Sequence, residues 1–366
     1  MTNGSEEQDD AAEAPPARTW KSVISTLVKC ALLVGIVFYL LKSKNLEPAK
    51  FASFRTNWQY IIYGLLLLLP TLLLATFRFQ MVLRALGLPS ALKTVFAWTM
   101  IGNFFDVAAP FTGGGDIVKA VYVTAAAGKG RRSVAALSIV LDRVIGMFAL
   151  FLFALCVCLV AFQQIKDQPQ LLQVARWLAV VCGSGVVAFF VVTARFLVES
   201  ETRKRLVAML PMSDRLERVY EALAGLRSHP RTLFGVVALS LLNHLFGCLS
   251  IFCLAQGLNF TSTIDGSAAT LDLLHSLVVL PLALFLNTFG VAGGFGVGEI
   301  AFEKLFALML KVREGAELAF VFHVVVLAVR LMGFPFVLFY RKHKHAIAPV
   351  APQESEKIET RELSEA

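Results

Sequence analysis

Charge is what this sequence holds least of. Only 16% of its 366 residues are Asp, Glu, Lys or Arg, against 57% hydrophobic, and the mean hydropathy is +0.69. Soluble domains carry about 25% charged residues, so an ordinary water-soluble fold is excluded. Enzyme signatures are missing as well. There is no P-loop, no Gly-x-Ser-x-Gly elbow, no His-Glu-x-x-His helix and no paired-cysteine metal site. With no nucleophile–base constellation either, the chain is not expected to be an enzyme. The six cysteines (Cys30, Cys156, Cys158, Cys182, Cys248 and Cys253) all lie in apolar runs without histidines at ligand spacing. They read as free, buried thiols, so no disulfide framework, metal or cofactor is expected. A net charge of +8 would suggest nucleic acid in a soluble chain. Here the basic residues fall mostly in short loops beside apolar runs, where they orient a membrane protein and touch lipid headgroups. No nucleic-acid partner is expected.

What is abundant is apolar length. A helix needs roughly 20 apolar residues to cross a bilayer. Six runs qualify, at 23–41, 59–77, 135–162, 173–197, 232–255 and 316–340. Two further apolar regions, 94–127 and 268–311, are interrupted by the glycine clusters Thr112-Gly113-Gly114-Gly115-Asp116 and Gly293-Gly294-Phe295-Gly296-Val297-Gly298-Glu299. Non-helical backbone at membrane depth is tolerated only where protein or a watery cavity satisfies its amides. Each interrupted region therefore reads as a re-entrant helical hairpin, with a pair of ordinary spans as the alternative. The expected fold is an all-α polytopic membrane protein with six full transmembrane helices and two glycine-broken hairpins. Residues 1–19 read as a disordered acidic tail, 20–343 as the membrane domain and 344–366 as a second disordered tail. Within the domain, 198–231 reads as a cytoplasmic loop whose Leu216, Val219, Tyr220, Leu223 and Leu226 share one helical face.

Lysine and arginine set the topology. Eight basic residues between Arg195 and Arg231, the cluster Lys129/Arg131/Arg132, and Arg341/Lys342/Lys344 all fall inside when both termini are cytoplasmic. Lys42, Lys44, Lys50 and Arg55 oppose this assignment. The two hairpins then enter from opposite faces. Their tips share a short pattern, Gly113-Gly114-Gly115-Asp116-Ile117 beside Gly296-Val297-Gly298-Glu299-Ile300, such as an inverted repeat would leave. Paired interrupted segments of this kind point to a transporter's binding site.

Ionisable residues within the apolar runs are the candidates for function, because each is costly in hydrocarbon. Asp142 and Arg143 lie several residues inside the third run, and Arg330 stands near the centre of the last. Unpaired, Arg330 would cost at least about 2.5–3.5 kcal/mol on insertion scales, so it needs an acid or an anion. Glu299 and Asp116 are the expected partners. Each of these acids opens a half-helix, either as a simple cap or beside an anion cradle of glycine amides. In the cradle reading the acid is itself neutralised by Arg143, Arg330 or a proton. Lys119, one turn after Asp116, reaches a phosphate at the tip or snorkels to the cytoplasmic face. His323 lies seven residues before Arg330 on roughly the same face and reads as a packed, neutral histidine. Among Asn243, His244, Asp272, His275 and Asn287, Asn287 is singled out because it precedes the second tip. The expected substrate-binding set is Gly113, Gly114, Gly115, Asp116, Lys119, Asp142, Arg143, Asn287, Gly294, Gly296, Gly298, Glu299 and Arg330.

These elements resemble the lysylphosphatidylglycerol synthase transmembrane region, also called the flippase-like domain family. The likeness rests on Gly102-Asn103-Phe104 through Pro110 to Gly113-Gly114-Gly115-Asp116, on Asp142-Arg143 followed by Gly146, on Gly293 to Glu299, and on Arg330. It runs from about residue 20 to 343. A proline commonly precedes the late glycines in that family, where this chain has Gly290-Val291-Ala292. The resemblance implies translocation of a phospholipid or polyprenyl-linked lipid between leaflets of the inner (plasma) membrane, with the anionic headgroup at the glycine tips. It also implies a lipid-modifying aminoacyl- or glycosyltransferase as partner, because the soluble transferase domain is absent here. A membrane scaffold for such an enzyme and a proton-coupled anion carrier are the alternatives. The sequence leaves the headgroup and the oligomeric state open.

Overall fold

The computed structural model describes residues 48–108, 113–167, 169–192, 230–258, 271–289, 295–312 and 314–342. The 1–19 tail, the first apolar run at 23–41, the 198–231 loop and the 344–366 tail lie outside these residues. Among the described residues the regular structure is helical, with no β-strand. In chain order the principal helices are α1 (Trp58–Ala85), α2 (Leu92–Ala108), α3 (Gly114–Ala127), α4 (Arg132–Val160), α5 (Pro169–Val192), α6 (Pro230–Leu258), α7 (Leu273–Asn287), α8 (Val297–Leu305), α9 (Gly315–Leu331) and α10 (Phe334–Lys342).

Among the described residues four stretches are long and apolar enough to cross a membrane: α1, α4, α6 and Gly315–Phe339, which takes in α9 and most of α10. In α5 the apolar stretch is shorter, Leu172–Ala188. Large side chains such as Leu159, Val160, Trp177 and Phe234 stand exposed on the helix surfaces. Such a coat has no place in water and is what hydrocarbon requires. The chain is a multi-pass membrane protein. Its interrupted regions are built from shorter pieces. At 1.5 Å per residue, α2 and α3 span about 25 and 21 Å, and α7 and α8 about 22 and 14 Å, each less than a hydrocarbon core of about 30 Å.

Helix ends follow local chemistry. Gly87, at φ +67°, ends α1 in a Schellman turn in which the Leu88 N–H bonds the Leu83 carbonyl at 2.8 Å. The Arg131 guanidinium, from the loop before α4, donates to the Leu86 and Gly87 carbonyls and so ties that loop to α1. Asp272 caps α7 by accepting the His275 N–H. Gly333 breaks the last run between α9 and α10, where an added Cβ would overlap the Met100 carbonyl of α2.

α1 and α6 form the most extensive helix pair, and α4, α7 and α9 all pack on α6. Two apolar cores result. The larger joins Phe153 and Val157 of α4, Ile251 and Leu254 of α6, Val278 and Val279 of α7, Phe302 of α8 and Phe322 of α9. The smaller joins Phe79 and Leu83 of α1, Trp98 of α2, Val123 of α3 and Ala135 and Ile139 of α4. Along α4 Asp142 falls between Ile139 of the smaller core and Phe153 of the larger, and along α1 Arg78 falls between Leu68 of the larger and Phe79 of the smaller. A polar layer thus divides the cores inside the bundle.

Candidate functional site

The first glycine tip is a close backbone crossing. A Cβ on Gly102 would stand 3.1 Å from the Gly115 carbonyl oxygen, and one on Gly115 would overlap the Gly102 carbonyl. The chain reverses into α3 at Gly113, whose φ of +105° few L side chains adopt. This contact carries Asp106, buried near the end of α2, to the start of α3. Its Oδ1 accepts the Gly115 N–H at 2.8 Å. The acid bonded to the first turn of α3 is therefore Asp106, which the sequence reading missed. Asp116 instead pairs with the Arg143 guanidinium across the α3–α4 interface.

Asp142 and Arg143 are neighbours in sequence but about 100° apart around the helix, so they serve different partners. Asp142 is gripped by Arg78 of α1, with Nε to Oδ1 at 2.9 Å and Nη2 to Oδ2 at 3.0 Å. Gly146, one turn later, leaves room for that guanidinium: a Cβ there would stand 3.0 Å from Nη1. The Gly146 carbonyl lies 2.9 Å from His244 Nε2 of α6. Lys119 neither snorkels nor waits at the tip. It is buried, its Nζ 3.8 Å from Asp142 Oδ2 and 3.8 Å above the Phe79 ring. Phe79 supplies the face of an aromatic quadrupole where a second carboxylate would otherwise be needed.

Arg330 also departs from expectation. Neither Glu299 nor Asp116 is its partner, because both are already engaged. Among the described residues no carboxylate oxygen lies within 4.0 Å of its guanidinium, although Asp106 and Arg143 are within electrostatic reach. Together Arg78, Lys119, Arg143 and Arg330 share this region with Asp106, Asp116 and Asp142. Among the described residues four formal cations meet three carboxylates here, a surplus of one positive charge.

The second tip is organised differently. Glu299, on the first turn of α8, is fully buried and folds back so that Oε2 accepts the Gly296 N–H at 2.6 Å. Its Oε1 lies 2.8 Å from His323 Nδ1 of α9, and His323 Nε2 lies 2.8 Å from Asn287 Oδ1 at the end of α7. A Cβ on Gly298 would overlap the Asn287 amide and stand 2.6 Å from His323 Cε1, so only glycine admits this chain of bonds. His323 is thus not a merely packed ring. It joins three elements that the sequence places far apart.

The expected set accordingly falls into two groups. Gly113, Gly114, Gly115, Asp116 and Arg143 gather around the first tip, with Lys119 and Asp142 in the ion-pair layer beside it and Arg330 within reach, and Asn287, Gly296, Gly298 and Glu299 gather around the second. Gly294 lies outside the described residues. In each tip one glycine amide is already satisfied by an internal carboxylate, which narrows the expected anion cradle. α9 links the groups, since His323 and Arg330 are about 10 Å apart along its axis.

The same residues carry the comparison with known proteins. The family model of the lysylphosphatidylglycerol synthase TM region matches residues 26–333. The chain belongs to that family. No curated protein and no solved structure matches it. Within the lysylphosphatidylglycerol synthase TM match fall both glycine tips, the Asp142-Arg143-x-x-Gly146 element and Arg330. In this member those elements are, respectively, two helix-start contacts, an inter-helix ion-pair layer and a cation with no carboxylate in salt-bridge reach among the described residues.

Proposed function

We propose that this protein translocates an anionic phospholipid or polyprenyl-linked lipid between the leaflets of the inner (plasma) membrane, without catalysing covalent chemistry. The observation that carries the reading is Arg330. A guanidinium inside a membrane-crossing helix, with no carboxylate in salt-bridge reach among the described residues, leaves a surplus positive charge that an anionic headgroup would neutralise. Arg143 is the second headgroup ligand: it is 44% exposed while paired with Asp116, so it presents donors outward. Guanidinium groups suit this task because their planar forks match phosphate oxygens. Acyl chains remain in lipid while the headgroup passes the polar layer.

The topology that goes with this reading has six full crossings, cytoplasmic termini and two re-entrant hairpins, α2–α3 and α7–α8. Their lengths support it, since none of the four helices reaches across a hydrocarbon core by itself. A lipid-modifying transferase would supply or consume the lipid.

The test is reconstitution of the full chain in vesicles with headgroup-labelled phosphatidylglycerol, a polyprenyl phosphate or zwitterionic phosphatidylcholine. Transfer of the anionic lipids well above empty vesicles, with little for phosphatidylcholine, is expected. Folded protein that moves none of them would overturn the reading in favour of a scaffold for the transferase.

A further inference from the structure

Glu299, His323 and Asn287 form an unbroken row of hydrogen bonds whose protons do not add up to a single fixed state. The His323 ring, 2% exposed, faces oxygen on both sides: Glu299 Oε1 at Nδ1 and Asn287 Oδ1 at Nε2, each at 2.8 Å. A neutral imidazole has one donor and one acceptor, so it cannot donate to both oxygens. With Glu299 ionised, the ring satisfies both only as an imidazolium, and the pair then carries a net charge of zero. When the ring gives up the Nε2 proton, that nitrogen becomes an acceptor. The Asn287 amide then turns through 180°, which barely changes its outline, and offers its NH2. Nδ1–H remains bonded to Glu299, and the pair now carries one negative charge. Each state leaves both ring nitrogens of His323 paired, and the two differ by one proton.

Resting on the lipid-translocation reading, we propose that this row is a proton site and that the protein moves one proton together with each anionic headgroup. α9 supplies the coupling. His323 and Arg330 lie about two turns apart on that helix, and its neighbours α8 and α2 carry Glu299 and Asp106. With the proton bound, the second tip is neutral and the surplus charge at Arg330 is available to an anion. With the proton gone, the negative row repels the same anion and competes for Arg330. Proton and headgroup therefore favour each other, the sign of coupling that movement in the same direction calls for. The other acidic, basic and histidine side chains on the packed elements are Glu303 and Lys304 of α8, Lys311 and Glu314 before α9, Glu317 and Arg330 of α9, Asp272 and His275 at the start of α7, Arg231 and His244 of α6, Arg78 and Arg84 of α1, and Lys93 and Asp106 of α2. Among the described residues none of them forms a salt bridge with Glu299 or His323. Phe295, its ring centroid 4.8 Å from that of His323, covers the imidazole.

The test has two arms. In vesicles holding a pH-sensitive dye and labelled phosphatidylglycerol, an imposed gradient of one pH unit should redistribute the lipid toward the alkaline side, with proton movement in the same direction. One proton per lipid sets a limit of about tenfold in the distribution ratio per pH unit. Lipid that moves but ignores the gradient overturns the proposal. The second arm reads the site without transport. In the full chain labelled with 15N-histidine, the His323 signal, assigned by its loss in His323→Gln, should convert between imidazolium and neutral forms as pH is changed. In Glu299→Gln, which removes the counter-ion but keeps the shape, the imidazolium form should disappear. One unchanging protonation state in the wild-type chain overturns the proton site. If no lipid moves at all, the translocation reading fails, and the histidine titration still decides whether the site exists.

Discussion

Arg78 holds Asp142 through both carboxylate oxygens, at 2.9 and 3.0 Å, at the boundary between the two apolar cores. The two residues are 64 positions apart, about 10 Å from the end of α1 and about 15 Å from the start of α4. A bidentate pair at such depth fixes the register of the two helices. Removing Arg78 leaves the Asp142 carboxylate with Lys119 alone, at 3.8 Å, and breaking a buried pair costs about 3–5 kcal/mol. Arg78→Ala should therefore lower the melting temperature in detergent sharply. The double variant Arg78→Ala/Asp142→Ala should lose much less than the sum of the two single losses. Additive losses in a double-mutant cycle would remove the pair from the account.

The crossing of α2 and α3 makes a second, purely steric prediction. Gly115→Ala places a methyl against the Gly102 carbonyl and Asp106. Overpacking of this kind typically costs about 1–3 kcal/mol, and backbone on the opposing side leaves little room to relax. Folded yield and thermal stability should fall. Gly130→Ala is the control, because nothing lies within 4 Å of its Cβ position. Equal behaviour of the two variants would show that the hairpin does not close as described.

Asp116 tempers the cation surplus by pairing with Arg143. Asp116→Asn keeps the size of the side chain and removes that charge. The purified variant should retain more co-purifying anionic lipid than wild type, measured by native mass spectrometry, and should release it more slowly. Retention unchanged or reduced would mean that Arg143 does not face the headgroup.

How far the sequence reveals this site depends on which residues signal locally. Glycine clusters announce themselves, and the breaks fall where they stand: α2 ends before Gly113, and α8 begins after Gly296. Asp142, Arg143 and Arg330 stand out because each interrupts a long apolar run. Arg78 has the same signature, Phe77-Arg78-Phe79, yet counting the apolar run as 59–77 places it at the interface. In the structure α1 continues to Ala85, which puts it inside. Asp106 hides beside the first break, where an acid looks like part of a loop. Pairing is the least legible property. Position alone suggests Glu299 or Asp116 as the partner of Arg330, but Glu299 is drawn away by His323 and the Gly296 amide, and Asp116 by Arg143. Those choices depend on helix rotation and crossing, which one sequence does not encode residue by residue.

Arg330 carries the central claim, and its replacement separates function from fold. No carboxylate within salt-bridge reach among the described residues depends on it, so Arg330→Ala should leave the melting temperature at or above the wild-type value. Anionic-lipid transfer in vesicles should fall at least tenfold, equivalent to about 1.4 kcal/mol. Arg330→Lys should keep part of the activity, because charge survives while the planar fork is lost. Measuring transfer of labelled phosphatidylglycerol by wild type, Arg330→Ala and Arg330→Lys side by side is the most direct test. A graded loss in well-folded protein is the predicted result. Wild-type transfer by Arg330→Ala would contradict the account.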